Sequence, residues 1–301
     1  MSEMGEEIPE EAFKTGMEQT SVRALTDLYY DLQKSRIALE NRVRAIKQER
    51  SHQSQEEAKV LSSVLEDVVR MEKAIPRAFQ AYVAKSPVWP WLSRVKGIGV
   101  ILAANLVSIY GDCSKFDTIS KMWAYTGLHV IKRCENCKKR YFDSELEKQK
   151  FIDKMVKRLE GMAERRKNGS QFKKEDAEKR VKGWICSCEQ PKPYSCAPSI
   201  RGDEIPDWNK NARVLAFKIA DSFIKHECFG QRLYKQFYAE ELNKGKPKGK
   251  AYMTARRKVV KIFLANYWIN ARKAVGLPTR VPYVQEYLKH TDIVEWPNEK
   301  K

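Results

Sequence analysis

Val95-Lys-Gly-Ile-Gly-Val-Ile-Leu-Ala-Ala-Asn-Leu-Val-Ser-Ile-Tyr110 sets two glycines around one apolar residue and follows them at once with an unbroken run of helix formers. Glycine tolerates backbone angles closed to other residues, so Gly97-Ile98-Gly99 predicts a tight turn between two helices. The start of the second helix then has amide N–H groups without intrahelical partners, and a phosphate oxygen can accept them. Arg94 and Lys96 stand beside the turn. This is the pattern of a helix-hairpin-helix, which grips nucleic-acid backbone without reading bases. An ordinary glycine turn in a helical core gives the same local pattern.

Working outward, the 301 residues suffice for one large or two modest domains with cores of their own. Lysine and arginine number 57 against 39 acids, a formal charge of +18. Nucleic acid is the commonest reason for such a surplus; an anionic membrane surface and an acidic protein partner are the others. No apolar run approaches the ~20 residues that cross a bilayer. Residues 1–12 are acidic and lack a basic-then-apolar signal pattern, so a cytoplasmic, nucleoid-associated protein without membrane partners is expected.

The organisation expected is a loose acidic tail over 1–20, a helical hairpin or coiled coil over 21–85, and a helix-hairpin-helix over 86–130. A cysteine-bounded charged insertion over 131–198, basic helices over 199–278 and a tail over 279–301 follow. Leu25, Leu28, Leu32, Leu39, Val43 and Ile46 recur at helical steps, as do Leu61, Val64, Leu65, Val68, Met71, Ile75 and Phe79. Two helices joined by a turn near Ser51–Gln55, or a dimeric coiled coil that makes the chain a homo-oligomer, both fit this seam. Arg36, Arg42, Arg44, Lys47 and Arg50 form either a solvated charged face or a DNA contact. The insertion reads as a helical arm thin in apolar anchors beyond Phe151, Met155 and Leu159. Residues 209–243 and 251–275 read as two amphipathic helices, separated by a basic loop that contains Lys246, Lys248 and Lys250. Arg256, Arg257, Lys258 and Lys261 give the second helix a cationic face suited to a phosphate backbone. Tyr234, Phe237, Tyr238 and Trp268 are either base-stacking or core residues.

Seven cysteines, an odd number without a secretion signal, argue against a disulfide framework. Cys134-x-x-Cys137 and Cys186-x-Cys188 are spaced to converge as four thiolates around a structural Zn²⁺, with Cys196 a substitute for one of the second pair. His129 is a further substitute ligand. The fold class expected is therefore all-α, with a small zinc-clipped insertion.

Val95–Gly99, Gly111-Asp112 with Phe116, Trp123-Ala-Tyr-Thr-Gly-Leu128 and Ser199-Ile-Arg-Gly202 occur in one order ahead of the basic helices. This order resembles the C-terminal half of the DEDD insertion-sequence transposases, the group that includes the bridge-RNA-guided recombinases. The resemblance covers about Leu25–Pro278, with 131–193 poorly matched. It implies DNA transposition or strand exchange, with a nucleophilic serine that falls here on Ser195 or Ser199. Arg201 and Arg213 are then the candidates for stabilising phosphorane charge. It implies further that a RuvC-like carboxylate domain, the source of any Mg²⁺ chemistry, lies on a partner protein, and that a guide-like RNA can take part. The chain would be a truncated relative, one part of a split system, or a non-catalytic accessory protein. A zinc-stabilised helical scaffold is the reading from outside that class, and each serine is otherwise a plain polar loop residue.

Overall fold

The computed structural model describes residues 19–48, 52–165, 172–279 and 295–297. Residues 1–18 of the expected acidic tail, Arg50 and most of the C-terminal tail lie outside these residues, whereas 52–55 of the expected turn are already helical, in α2. The described elements are α1 (Gln19–Gln48), α2 (His52–Ala84), α3 (Trp89–Leu92), α4 (Val100–Tyr110), α5 (Ile119–Thr126), β1 (Ile131–Cys134) and β2 (Arg140–Tyr141). They continue with α6 (Glu145–Arg165), α7 (Lys174–Gly183), β3 (Pro193–Cys196), α8 (Lys210–Lys225), α9 (Phe229–Asn243) and α10 (Lys248–Ala274). The fold is predominantly helical, as expected, with one small three-stranded sheet.

The chain divides into two compact units, one from residues up to Asp117 together with those from Leu215 on, the other from Thr118–Val214. In the first, the short connection between α1 and α2 makes them pack as an antiparallel hairpin. Arg36 on α1 joins Glu72 on α2 at 2.7 Å, so at least this member of the basic cluster is spent on the hairpin itself. Val22, Val43, Ala58, Ile75 and Phe79 are buried, but Leu28, Val64 and Met71 of the expected seam stand exposed. A stripe read from periodicity alone was wider than the face the hairpin covers.

Helix α10 is the core of this unit. Val259, Val260, Phe263, Leu264, Tyr267 and Trp268 are buried, which places Trp268 in the core and not on a base. Three buried polar side chains of α10 reach the segment after α4. Trp268 donates to the Phe116 carbonyl at 2.8 Å, Tyr267 donates to the Gly111 carbonyl at 2.9 Å, and Arg272 donates to the carbonyls of Cys113 and Phe116 at 3.1 Å. The segment after α4 is thereby sewn to α10, because buried carbonyls need donors. Trp296 closes the same cluster against Phe223 and Phe263.

The expected single helix over 209–243 is broken into α8 and α9. The break follows from close packing: a Cβ at Gly230 would lie 2.6 Å from Cγ of Phe223. Only glycine lets α9 fold back so near its predecessor.

The second unit holds the sheet, order β2-β1-β3, both pairings antiparallel. The arm is not thin in anchors. Ile152, Met155, Val156 and Leu159 of α6 pack with Ala177 and Val181 of α7 and with Trp184 and Ile185, a core of its own. The block Trp123–Leu128 also acquires a role. The Tyr125 carbonyl and hydroxyl accept from the backbone N–H and the side chain of Asn209, each at 2.7 Å, while Asn209 Oδ1 caps α8 through the Ala212 N–H at 3.0 Å.

Gly97 has φ +93°, and a Cβ there would sit 2.9 Å from the Phe223 ring. Gly97→Ala is therefore expected to lower stability by about 1–3 kcal/mol, since it combines a left-handed residue with a clash. Gly99 has open space around it. Gly99→Ser is expected to leave the urea midpoint within experimental scatter of the parent, and equal loss in the two variants would contradict this division of labour.

Candidate metal centre and nucleic-acid interface

The candidate metal centre is assembled by the sheet. β1 ends on Cys134, the next residues turn sharply, and Lys138 takes a left-handed φ of +60°. The turn is closed by the Lys138 N–H donating to the Cys134 carbonyl at 2.8 Å. The second pair, about fifty residues away, is brought back by backbone bonds at β2: Arg140 N–H to the Trp184 carbonyl at 3.0 Å and Cys186 N–H to the Arg140 carbonyl at 2.8 Å. The arm's own core makes this return possible, since it holds the two ends of a long excursion together. The thiol sulfurs of Cys134, Cys137, Cys186 and Cys188 consequently all lie within 4.8 Å of one another.

The electrostatics suit a bound cation. The backbone N–H of Cys137, helped by those of Lys192 and Asn136, points at Cys134 and lowers its thiol to about 6. Cys188 is pushed up to about 12, first by its neighbour Cys137, and burial raises Cys186. Four thiols this close cannot all ionise unaided, because each thiolate opposes the next. A cation removes that opposition, and a closed set of four soft donors leaves no open position for catalysis. Cys196 lies on β3 opposite Ile131 and is not one of the four. His129 faces Asp207 instead, with Nε2 3.6 Å from the carboxylate.

The glycine turn belongs to the other unit. Ile98 is buried, 1% exposed, and plugs the turn into the core, while Arg94, Lys96 and Gly99 face solvent. Ser222 donates to the Gly97 carbonyl at 2.5 Å and fixes the bend. Gly99 is the N-cap of α4 and supplies no side-chain cap to the first amides of that helix, and two exposed cations, Arg94 and Lys96, come just before it in the chain. Two glycines that look equivalent in sequence thus divide their work: Gly97 packs and Gly99 leaves room.

The remaining basic candidates fall into two groups. Lys246, Lys248 and Lys250 are exposed on the loop before and the start of α10. Arg256 pairs with Asp221 at 2.5 Å, and its guanidinium lies over Phe217 and Tyr252. Lys258 joins Glu241 at 2.7 Å, and Lys244 and Lys246 reach the same carboxylate. Glu241 is 2% exposed, and these ammonium groups hold it down to about 2. Arg257 and Lys261 are half-buried, and burial lowers Lys261 to about 8. Tyr234 stacks on Tyr238 with ring centroids 5.7 Å apart.

Of the serine candidates, Ser195 is exposed on β3 opposite Lys132, and Ser199 is exposed in the loop that follows. Arg201 is exposed there as well, whereas Arg213 donates to the Pro198 carbonyl at 2.8 Å and lies over Trp208. Two buried ion pairs escaped the sequence reading, Arg133–Glu204 at 2.7 Å and Arg140–Asp207 at 3.0 Å. Burial of β1 reads in, out, in, in, so Arg133 occupies an inward position that alternation alone would have marked as apolar.

Metal analysis of purified protein is expected to find close to one equivalent per chain; less than about half an equivalent would count against the site. Cys137→Ser is expected to lower metal retention under chelation. Glu241 stabilises the fold fully above the ordinary glutamate range, and that contribution is lost as pH falls towards about 2. Glu241→Gln is therefore expected to cost about 1–3 kcal/mol at neutral pH, with the gap to the parent closing in acid during urea titrations.

Among the described residues no helix is long and apolar enough to cross a membrane. No curated protein and no solved structure matches the chain. A family model does match: residues 90–134, which run from α3 through the glycine turn, α4 and α5 to the first cysteine of the metal centre, match the Transposase IS116/IS110/IS902 family.

Proposed function

We propose that this chain is a DNA-binding, transposase-like protein that acts in DNA transposition or recombination, in the cytoplasm at the nucleoid. The observation that carries this reading is that the transposase-family match covers the glycine turn, where α4 starts at Gly99 with no side-chain cap and the exposed Arg94 and Lys96 stand just before it in the chain. Such a helix start carries about half a positive charge, and duplex phosphate is the anion that a helix-hairpin-helix receives there. Lys248 and Lys250 add an exposed sequence-independent grip. Arg256 and Lys258 shape the helix that carries it.

The ion at the four cysteines is Zn²⁺, which soft sulfur donors in a closed tetrahedral set select. It clips the ends of the arm and takes no part in bond making. The nucleophile is Ser199 or Ser195, whose hydroxyl oxygen forms an ester to phosphorus as a backbone P–O bond breaks, so that the bond energy is kept for rejoining. Any Mg²⁺ is the business of a RuvC-like domain, and a guide-like RNA is a further polyanionic ligand. Val60, Val64 and Met71, four and seven residues apart on α2, expose an apolar stripe that suits self-association of the hairpin.

The non-catalytic accessory reading also has an observation in its favour. Arg213 is engaged by the Pro198 carbonyl and Trp208, and among the described residues only the four cysteines gather as a metal-holding group. The experiment that separates the two is incubation with DNA and a supplied RuvC-like protein, followed by a search for a phosphoserine-linked adduct. An adduct lost in Ser199→Ala or Ser195→Ala identifies the nucleophile; none in the parent leaves the accessory role.

DNA binding itself has a sharper test. An aspartate at the N-cap accepts from open amides, so Gly99→Asp is expected to keep or slightly raise stability while weakening duplex binding several-fold. Affinity of the parent should fall steeply with salt. Unchanged binding in Gly99→Asp would remove the glycine turn from the interface.

A further inference from the structure

We infer that Arg133 couples the metal centre to the 198–204 loop, so that ion binding and the order of that loop rise and fall together. The inference rests on the metal reading proposed above. Arg133 immediately precedes the first metal-side cysteine on β1, and none of its side-chain surface reaches solvent. One guanidinium nitrogen, Nη1, donates to the Lys138 carbonyl at 2.8 Å and to Glu204 Oε1 at 2.9 Å. The other, Nη2, donates to the Ser199 carbonyl and to Glu204 Oε2, both at 2.7 Å.

The two sides of this clamp are different segments. Lys138 follows Cys137 directly and sits in a left-handed conformation, so its carbonyl direction is set by the same turn that gathers the sulfurs. Ser199 and Glu204 bracket a loop whose own closure is slight: Glu204 N–H to the Arg201 carbonyl at 3.0 Å, and Arg201 N–H to Glu204 Oε2 at 3.2 Å. At its other end the Pro198 carbonyl is held by Arg213. Within the loop, Asp203 accepts from Arg180 Nε and from the Trp184 indole, each at 2.9 Å. The loop is therefore hung from three arginines, and only the one at Ser199 and Glu204 is shared with the metal turn.

A planar guanidinium has a fixed fork of donors. If the turn opens when the ion leaves, the Lys138 carbonyl moves and the fork cannot keep both partners in line. A fully buried guanidinium also cannot fall back on water to replace a lost bond. The loop then loses one of its anchors, the one at Ser199 and Glu204, while Pro198 and Asp203 keep theirs. Linkage is reciprocal, so loosening the loop must weaken metal binding by the same factor, about 5- to 150-fold for couplings of ordinary size. Arg133 is thus a positioning residue for the exposed serine loop.

The test uses the full chain loaded with zinc and read by amide hydrogen exchange and by competition with a chromophoric chelator. Expected results are faster exchange over 198–204 on chelation, with the core of α6 and α7 unchanged as an internal reference. Arg133→Lys keeps the charge but loses the fork. It is expected to exchange fast over 198–204 even when loaded, and to bind zinc roughly tenfold more weakly. Should Arg133→Lys fail to fold, Glu204→Gln retains the guanidinium and its carbonyl bonds, and is expected to shift both readings in the same direction by less. Zinc bound and released with no change in 198–204 protection would overturn the coupling and leave the metal centre standing. Absence of zinc from the parent would overturn both.

Discussion

A guanidinium with no surface in water needs every partner it can reach, and Arg133 lies where the second unit is assembled. Its carboxylate partner, Glu204, is itself only 10% exposed in its side chain. Removing one member of such a pair typically costs about 3–5 kcal/mol, because the other is left charged and buried. The strand that carries Arg133 has β2 on one side and β3 on the other. From it the unit extends in two directions, to the sulfurs one residue further along the chain and to the serine loop across the sheet. A second buried pair, Arg140–Asp207, repeats the device one strand away, with the Arg140 guanidinium lying over Phe151. The arm, the knuckle and the loop are therefore tied through buried charge as well as through apolar contact.

The parts of the molecule legible in its sequence are those set by local chemistry. Glycine spacing announced the bend before α4, and cysteine spacing announced the sulfur cluster, because a left-handed φ and a thiolate each demand a particular residue type. Helix content followed from apolar periodicity. What escaped depends on partners distant in sequence. The arm looked short of anchors because Trp184 and Ile185 come after a charged stretch and the apolar residues of α6 and α7 meet only in three dimensions. The break between α8 and α9 is written in one glycine whose meaning depends on Phe223. Arg133 and Glu204 looked like two more charges in a chain rich in them, and nothing local says that one faces inward. Of the two glycines read as one motif, only the fold distinguishes the packed one from the open one.

The surplus of basic residues is the most direct statement the chain makes about its partners, and internal pairing does not dilute it. Arg36 with Glu72, Arg133 with Glu204, Arg140 with Asp207, Arg256 with Asp221 and Lys258 with Glu241 each consume one acid for each base. Five such pairs change which residues are available but leave the net charge of +18 where it was, on the remaining side chains. Since acids are the scarcer sign, every acid committed to the interior leaves the exposed population more basic in proportion. Pairing therefore raises the cationic character of the surface relative to its acidic content, the opposite of what a count of salt bridges suggests. A polyanion meets that surface with its counterions ready to be released, and the gain from release depends on the number of phosphates engaged and not on any one contact. In the proposed function, the glycine turn would supply what diffuse charge lacks, a fixed place for a single phosphate, and the lysines before and within α10 would supply attraction without position.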